Sequence, residues 1–245
     1  MNCIYFFEIA YDGGDFFGWQ SQPEQISVQE TIQQVLSKLH SNDEIKIVGC
    51  GRTDAGVHAK SYIFHAEIPE VESLDQLKYK LNKMLPDSIA VNEITKVSSE
   101  SHARYNAKWR TYRYFIHFEK NPFKAKHSSY LKSIPDLRKM NEASEFLVGI
   151  HDFTTFSKVN SDVKSHDCEV KKATWTKTSD AEIFFEITAN RFLRNMVRAT
   201  VGTLLDVGYG KISIAQFKEY LGAKDRTKSS ASAEAEGLFL WEVKY

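Results

Sequence analysis

The order of hydrophobic periods places the tightest constraint on what this chain can fold into. Strand-like runs cover residues 3–11, 44–50, 61–68 and 89–97, and in the second and third of them apolar and polar side chains alternate, the pattern of a strand with one buried face. Between the first two runs, Val28, Ile32, Val35, Leu36 and Leu39 recur at helical spacing behind Ser27 and Glu30, the two residues of a capping box. Between the last two, Leu74, Leu77, Leu81, Met84 and Leu85 follow Ser73 and Gln76, and Pro86 ends the run. The second half repeats this order, with a strand at 109–118, a helix at 136–148, strands at 169–178 and 181–189, a helix at 192–207 and a final strand at 238–244. A further helix is added at 214–221. Two β-α-β-β-α-β units in tandem predict an α+β chain of two ferredoxin-like halves, residues 1–104 and 105–245. Each has an antiparallel sheet covered on one side by helices, with a cleft between the halves. The duplication is one of pattern, since the residues themselves do not repeat.

The nine residues from Gly51 to Ala59, Gly-Arg-Thr-Asp-Ala-Gly-Val-His-Ala, join two of these strands. Gly51 and Gly56 can take backbone angles closed to residues with a Cβ, so the chain can turn sharply and bring Arg52, Thr53 and Asp54 up to a ligand. The residues alone allow two readings of Asp54: a carboxylate offered at the open end of a sheet, or an Asx-turn with no further role. A groove between two sheets is the natural site for a large substrate.

Composition narrows the class. No apolar run reaches the ~18 residues of a membrane span. The stretch from Cys3 to Ala10 contains Glu8 and lacks the charged n-region and cleavage site of a signal peptide, so it reads as a first strand. Three widely spaced cysteines, Cys3, Cys50 and Cys168, with no C-x-x-C pair, predict a reduced, cytoplasmic protein without a metal site, the thiols serving as small apolar residues. No dinucleotide fingerprint and no P-loop is present, and no cofactor is expected. The formal net charge is zero, yet residues 1–100 hold 8 basic and 15 acidic side chains while residues 101–245 hold 24 and 17. A basic surplus confined to one half suits a polyanion held mainly by that side, and aromatics interleaved with cations in Lys108-Trp109-Arg110-Thr111-Tyr112-Arg113-Tyr114 suit nucleic acid.

The Gly51–Ala59 segment closely resembles the signature of the tRNA pseudouridine synthase A family. Tyr11-Asp12-Gly13, Phe17-Gly18-Trp19-Gln20, Leu85-Pro86-Asp87, Tyr112-Arg113-Tyr114 and His151-Asp152-Phe153-Thr154-Thr155-Phe156 match in order. So do Met196-Val197-Arg198, Lys224-Asp225-Arg226 and Glu236-Gly237-Leu238, and together the segments span nearly the whole chain. Gly14, Phe239 and Asp167-Cys168-Glu169 depart from the family pattern, the last removing a possible phosphate contact.

The resemblance implies an isomerase that converts uridine to pseudouridine in the anticodon stem-loop of tRNA, at positions 38, 39 and 40. Such an enzyme breaks the N1–C1′ bond, turns the bound uracil and rejoins it through C5. It further implies Asp54 as the catalytic nucleophile, and Tyr112 as a catalytic, substrate-binding ring on which uracil stacks. Arg198 would be the cation that keeps the carboxylate ionised, and Arg52 the arginine that enters the stack when the target nucleotide leaves it. Attack at C1′, attack at uracil C6 and removal of a sugar proton all fit a single carboxylate. Read without the resemblance, Tyr112 begins a core strand and Arg198 could snorkel beside a buried helix stripe. His58, with no second catalytic partner near it in sequence, reads as structural.

Thr53, Lys171 and Lys172 complete the expected substrate-binding set, and Lys158, Lys164 and Arg194 are further candidates for phosphate contact that would offset the cost of extruding a paired base. The partners expected are tRNA and a second copy of the chain in a homodimer, with no membrane. Two rival classes remain. An RNA-binding module without catalysis would carry RNP-like aromatics on central strands, which are not seen. A glycoside hydrolase would place a second carboxylate with Asp54, and the loop has none.

Overall fold

The computed structural model describes residues 2–41, 43–158 and 163–245. Residues 159–162 fall within the 157–168 loop read above as an RNA-facing segment, so that part of the reading lies outside the described residues. The chain forms two compact units, residues 1–108 with 240–245, and residues 109–239.

The first unit contains β1 (Asn2–Tyr11), α1 (Val28–Leu39), β2 (Ile47–Gly49), β3 (His58–Pro69), α2 (Leu74–Met84) and β4 (Ile89–Lys96). Its strands lie in the order β4-β1-β3-β2 and every neighbouring pair is antiparallel, the arrangement a β-α-β-β-α-β unit reaches when each helix crosses one strand. Ser27 and Ser73 cap the two helices by accepting the N–H of Glu30 and of Gln76. Val28, Ile32, Val35 and Leu36 of α1 and Leu77 and Leu81 of α2 are buried. The side chain of Asn82 on α2 makes two hydrogen bonds to the main chain of Val91, accepting its N–H at 2.7 Å and donating to its carbonyl at 2.9 Å, so the outer edge of β4 is covered at that point.

Two strand boundaries differ from the sequence reading. β3 begins at His58, three residues before the alternation does, because a bulge lies opposite Ala10: Ile9 pairs with Tyr62 but Tyr11 with Ala59. The extra residue changes the phase, so that Val57 and Ala59 are buried ahead of the bulge and Tyr62, Phe64, Ala66 and Ile68 after it. β2 spans only Ile47–Gly49, since Ile45 is served by α1 and not by a strand: Gln33 donates to its carbonyl at 3.1 Å and its N–H reaches Ser37 Oγ at 3.4 Å.

The second unit contains β5 (Trp109–His117), β6 (Ser129–Tyr130), α3 (Leu137–Glu145), β7 (Gly149–Asp152), β8 (Asp167–Ser179), β9 (Glu182–Ala189), α4 (Met196–Gly208) and α5 (Ile214–Gly222). The last strand, β10 (Leu238–Lys244), starts in this unit and passes into the first after Phe239. β5, β9, β8 and β7 follow one another antiparallel, with β6 added parallel to β5. α3 is shorter than expected because residues 146–148 close as i to i+3 turns, which lead into the unforeseen β7. α4 starts at Met196 and not at residue 192, because Asn195 sits in the left-handed region at φ 66°, which no α-helix accommodates. Asn141 of α3 bonds both main-chain groups of Trp175 in β8, repeating the device of Asn82. Among the described residues no helix is long and apolar enough to cross a membrane.

Candidate active site

The Asp54 loop leaves β2 and enters β3 within the first unit, and the end of β1 and the turn after it brace it. The Tyr11 hydroxyl and Thr53 Oγ1 lie 2.8 Å apart in a buried hydrogen bond. Trp19 N–H donates to the Thr53 carbonyl at 3.2 Å, and the Tyr62 hydroxyl to the Gly51 carbonyl at 2.5 Å, while the Trp19 ring stacks on Tyr62 at 4.1 Å between centroids. Val57 N–H closes a turn onto the Asp54 carbonyl at 3.2 Å, with Gly56 at φ 76° in its third position, the conformation of a type II turn. Gly56 N–H, which an Asx-turn on Asp54 would use, donates instead to the Phe16 carbonyl at 3.3 Å. Between these fixed groups Thr53 is buried, Asp54 half-buried and Arg52 exposed.

Two glycines make this bracing possible. A Cβ on Gly13 would fall inside the van der Waals envelope of the Val57 carbonyl, and one on Gly18, at φ 87°, would lie 2.5 Å from the Thr53 oxygen. His58 is buried and accepts the Gly13 N–H on Nδ1 at 3.0 Å, with Asp12 Oδ1 3.1 Å from the same nitrogen. Its reading as structural fits this position. Sequence reasoning missed the bracing role of Tyr11, Gly13, Gly18 and Trp19. Their segments matched the family pattern, but no periodicity or spacing links residues 11–19 to residue 54.

The remaining expected residues lie in the second unit. Tyr112 pairs with Ile187 across β5 and β9, is buried, and meets Phe192 edge to face at 4.9 Å. Arg198 is the third residue of α4, and its Nε donates to the Ala233 carbonyl at 2.6 Å while its own carbonyl accepts Ala233 N–H at 3.0 Å. Burial pushes the Glu236 carboxyl above its ordinary value, Glu234 adds to the rise and Arg198 opposes it. No periodicity or spacing announces that the alanine- and serine-rich stretch before Gly237 folds back on α4. A Cβ on Gly202 would collide with the Ala231 carbonyl, so that glycine is what lets the stretch lie so close.

Lys171 and Lys172 are both exposed although consecutive strand residues face opposite ways, because a bulge between Val170 and Lys172 resets the register of β8. Lys171 Nζ lies 5.1 Å from the centre of the Trp109 ring. Lys172 pairs with Glu186 at 2.7 Å, and Arg113 reaches the other carboxylate oxygen at 2.6 Å, so two cations share one carboxylate and leave a positive surplus. Burial raises the Glu186 carboxyl, but the hydrogen bonds from Lys172 and Arg113 outweigh it and hold the group below its ordinary value. A carboxyl depressed on folding adds stability above its unfolded pKa and loses it as pH falls through the folded one. Glu186→Gln is therefore expected to cost about 2 kcal/mol at pH 7. Urea unfolding should show the gap to the parent protein closing as the pH falls below ~4; a gap independent of pH would contradict the pairing.

A family model described as tRNA pseudouridine synthase matches residues 9–106 and 143–245. The tRNA pseudouridine synthase A of Parabacteroides distasonis is 45% identical over 242 residues, covering 98% of this chain and 95% of the relative. The protein of the same name from Bacteroides fragilis is 42% identical over 242 residues, covering 98% and 96%. That from Bacillus subtilis is 42% identical over 243 residues, covering 97% of each.

Proposed function

The chain belongs to the tRNA pseudouridine synthase family, and from that premise we propose that it isomerises uridine to pseudouridine in the anticodon stem-loop of tRNA, at positions 38, 39 and 40, with Asp54 as nucleophile. The observation that carries this reading is the Asp54 loop, where one half-buried carboxylate is set on a backbone fixed on both sides by buried hydrogen bonds and two close glycine contacts. A nucleophile that must meet a turning base needs that rigidity more than it needs partners of its own kind. We assign Tyr112 as the ring on which uracil stacks, Arg198 as the cation that keeps the carboxylate ionised, and Arg52 and Thr53 as substrate contacts of the same loop. Lys171 and Lys172 are assigned to phosphate, Lys172 exchanging Glu186 for it. The enzyme works as a cytoplasmic homodimer.

The chemistry suggests the test. Rejoining through C5 displaces the C5 hydrogen, so transcripts carrying tritium at uridine C5 should release it in step with pseudouridine formation. A hydrolase would leave abasic sites with the label still on free uracil, and a binding module would release nothing.

Tyr112→Leu keeps a buried apolar side chain on β5 but removes the stacking face. Loss of one base stack, worth roughly 1–3 kcal/mol, predicts single-turnover rates lower by about 5- to 150-fold, while tRNA affinity, set mainly by phosphate contacts, changes little. An unchanged rate would remove Tyr112 from the pocket.

A further inference from the structure

We propose that Arg226 is a positioning residue for Arg198, acting through the segment between them. This rests on the reading of Arg198 given above. Residues 229–233, Ser-Ser-Ala-Ser-Ala, have no side chain large enough to hold them down by burial, and their conformation depends on what their polar groups meet. Arg226 meets four of them. Its Nη1 donates to Ser229 Oγ at 2.5 Å and to the carbonyls of Ser229 and Ser230 at 3.3 Å, and its Nη2 to Ser232 Oγ at 3.2 Å. The segment is thus wound around one planar guanidinium, a geometry that the point charge of a lysine cannot reproduce.

The far end of the segment is what holds Arg198. Ala233, next after Ser232, accepts from Arg198 Nε at 2.6 Å and donates to the Arg198 carbonyl at 3.0 Å. Ser232 Oγ also accepts from Asn195 Nδ2 at 2.7 Å, tying the left-handed residue that starts α4 to the same serine. Ser230 N–H donates to Thr203 Oγ1 at 3.1 Å, one turn further along the helix. The near end is anchored on the Phe153–Phe156 segment: Ser229 Oγ donates to the Thr155 carbonyl at 2.8 Å, and Asp225 N–H to Thr155 Oγ1 at 3.2 Å. Thr155 and Ser229 are buried, so this anchor is out of reach of water. Hydrogen bonds therefore run from His151–Phe156 through Lys224-Asp225-Arg226 to Ser232, and the peptide link to Ala233 carries the connection on to the guanidinium of Arg198, which joins three family segments whose link the sequence does not display.

Arg226→Lys and Ser232→Ala test this beside Arg198→Lys, with single-turnover pseudouridine formation, tRNA affinity by fluorescence anisotropy and thermal unfolding measured on each. Both of the first two are expected to react about 10-fold or more slowly and to bind tRNA nearly as the parent protein does. The double variant Arg226→Lys, Arg198→Lys should be no slower than Arg198→Lys alone, as for residues that act as one unit. If Arg226→Lys does not fold, Ser232→Ala, which removes one hydroxyl, supplies the same comparison. Parent-like rates in Arg226→Lys and Ser232→Ala beside a crippled Arg198→Lys would overturn the proposal, as would a loss confined to thermal stability. A parent-like rate in Arg198→Lys would instead remove the reading of Arg198 itself, a distinguishable result.

Discussion

Asp54→Asn is expected to bind tRNA with near-parent affinity and to form pseudouridine at least ~10³-fold more slowly, the scale of loss when a nucleophile is removed. The amide fills almost the same volume in a half-buried position. The main chain of residues 51, 53, 54, 56 and 57 and the side chain of Thr53 brace the loop, and the substitution alters none of these groups. What changes is the one group able to attack. Filter binding and single-turnover kinetics on the same preparation separate the two quantities, and a variant that lost affinity and rate together would point to a docking role for Asp54.

Gly13→Ala should be the next most damaging, although residue 13 is far from Asp54 in sequence. Its Cβ would overlap the Val57 carbonyl, a backbone atom that no rotamer change can move aside. Overpacking of this kind costs about 1–3 kcal/mol in stability. The strain is relieved by moving Val57, whose N–H closes the turn on Asp54. A shift of ~1 Å in a reacting group is worth about 10²-fold in rate. The expected result is a cooperative unfolding transition at lower temperature together with a rate about 100-fold down and tRNA affinity retained. Gly14→Ala is the internal control, since the nearest atom to its Cβ is Asp12 Oδ1 at 3.1 Å, a side-chain oxygen that can yield.

These two substitutions also mark where the sequence was informative. Local rules located α1, α2, α3 and α5 well, because each is opened by a serine or aspartate that bonds the third residue on, whereas α4, opened at the left-handed Asn195, starts later than its apolar stripe suggests. β1, β5 and β9 lie close to where the sequence puts them, since each has one continuously buried face. Where the reading slipped, a bulge had broken the period, as at Lys60 and Ser61 in β3, or side chains had replaced a strand partner, as around Ile45. β7 is four residues long and carries too short a pattern to be seen.

At the site, the glycines flanking Asp54 were legible as a turn. Its bracing by Tyr11, Gly13 and Trp19, and the wrapping of residues 229–233 around Arg226, depend on contacts between distant segments and leave no periodic trace. Nor does anything local in residues 240–245 tell that they lie with the first unit.

The central claim is tested most directly by incubating one unmodified tRNA transcript with the parent protein and with Asp54→Asn, then mapping pseudouridine along it by carbodiimide adducts and reverse transcription. Stops confined to the anticodon stem-loop at positions 38–40 with the parent protein, and absent with Asp54→Asn, are the predicted result. Pseudouridine elsewhere in the tRNA, none at all, or equal stops with both proteins would contradict it.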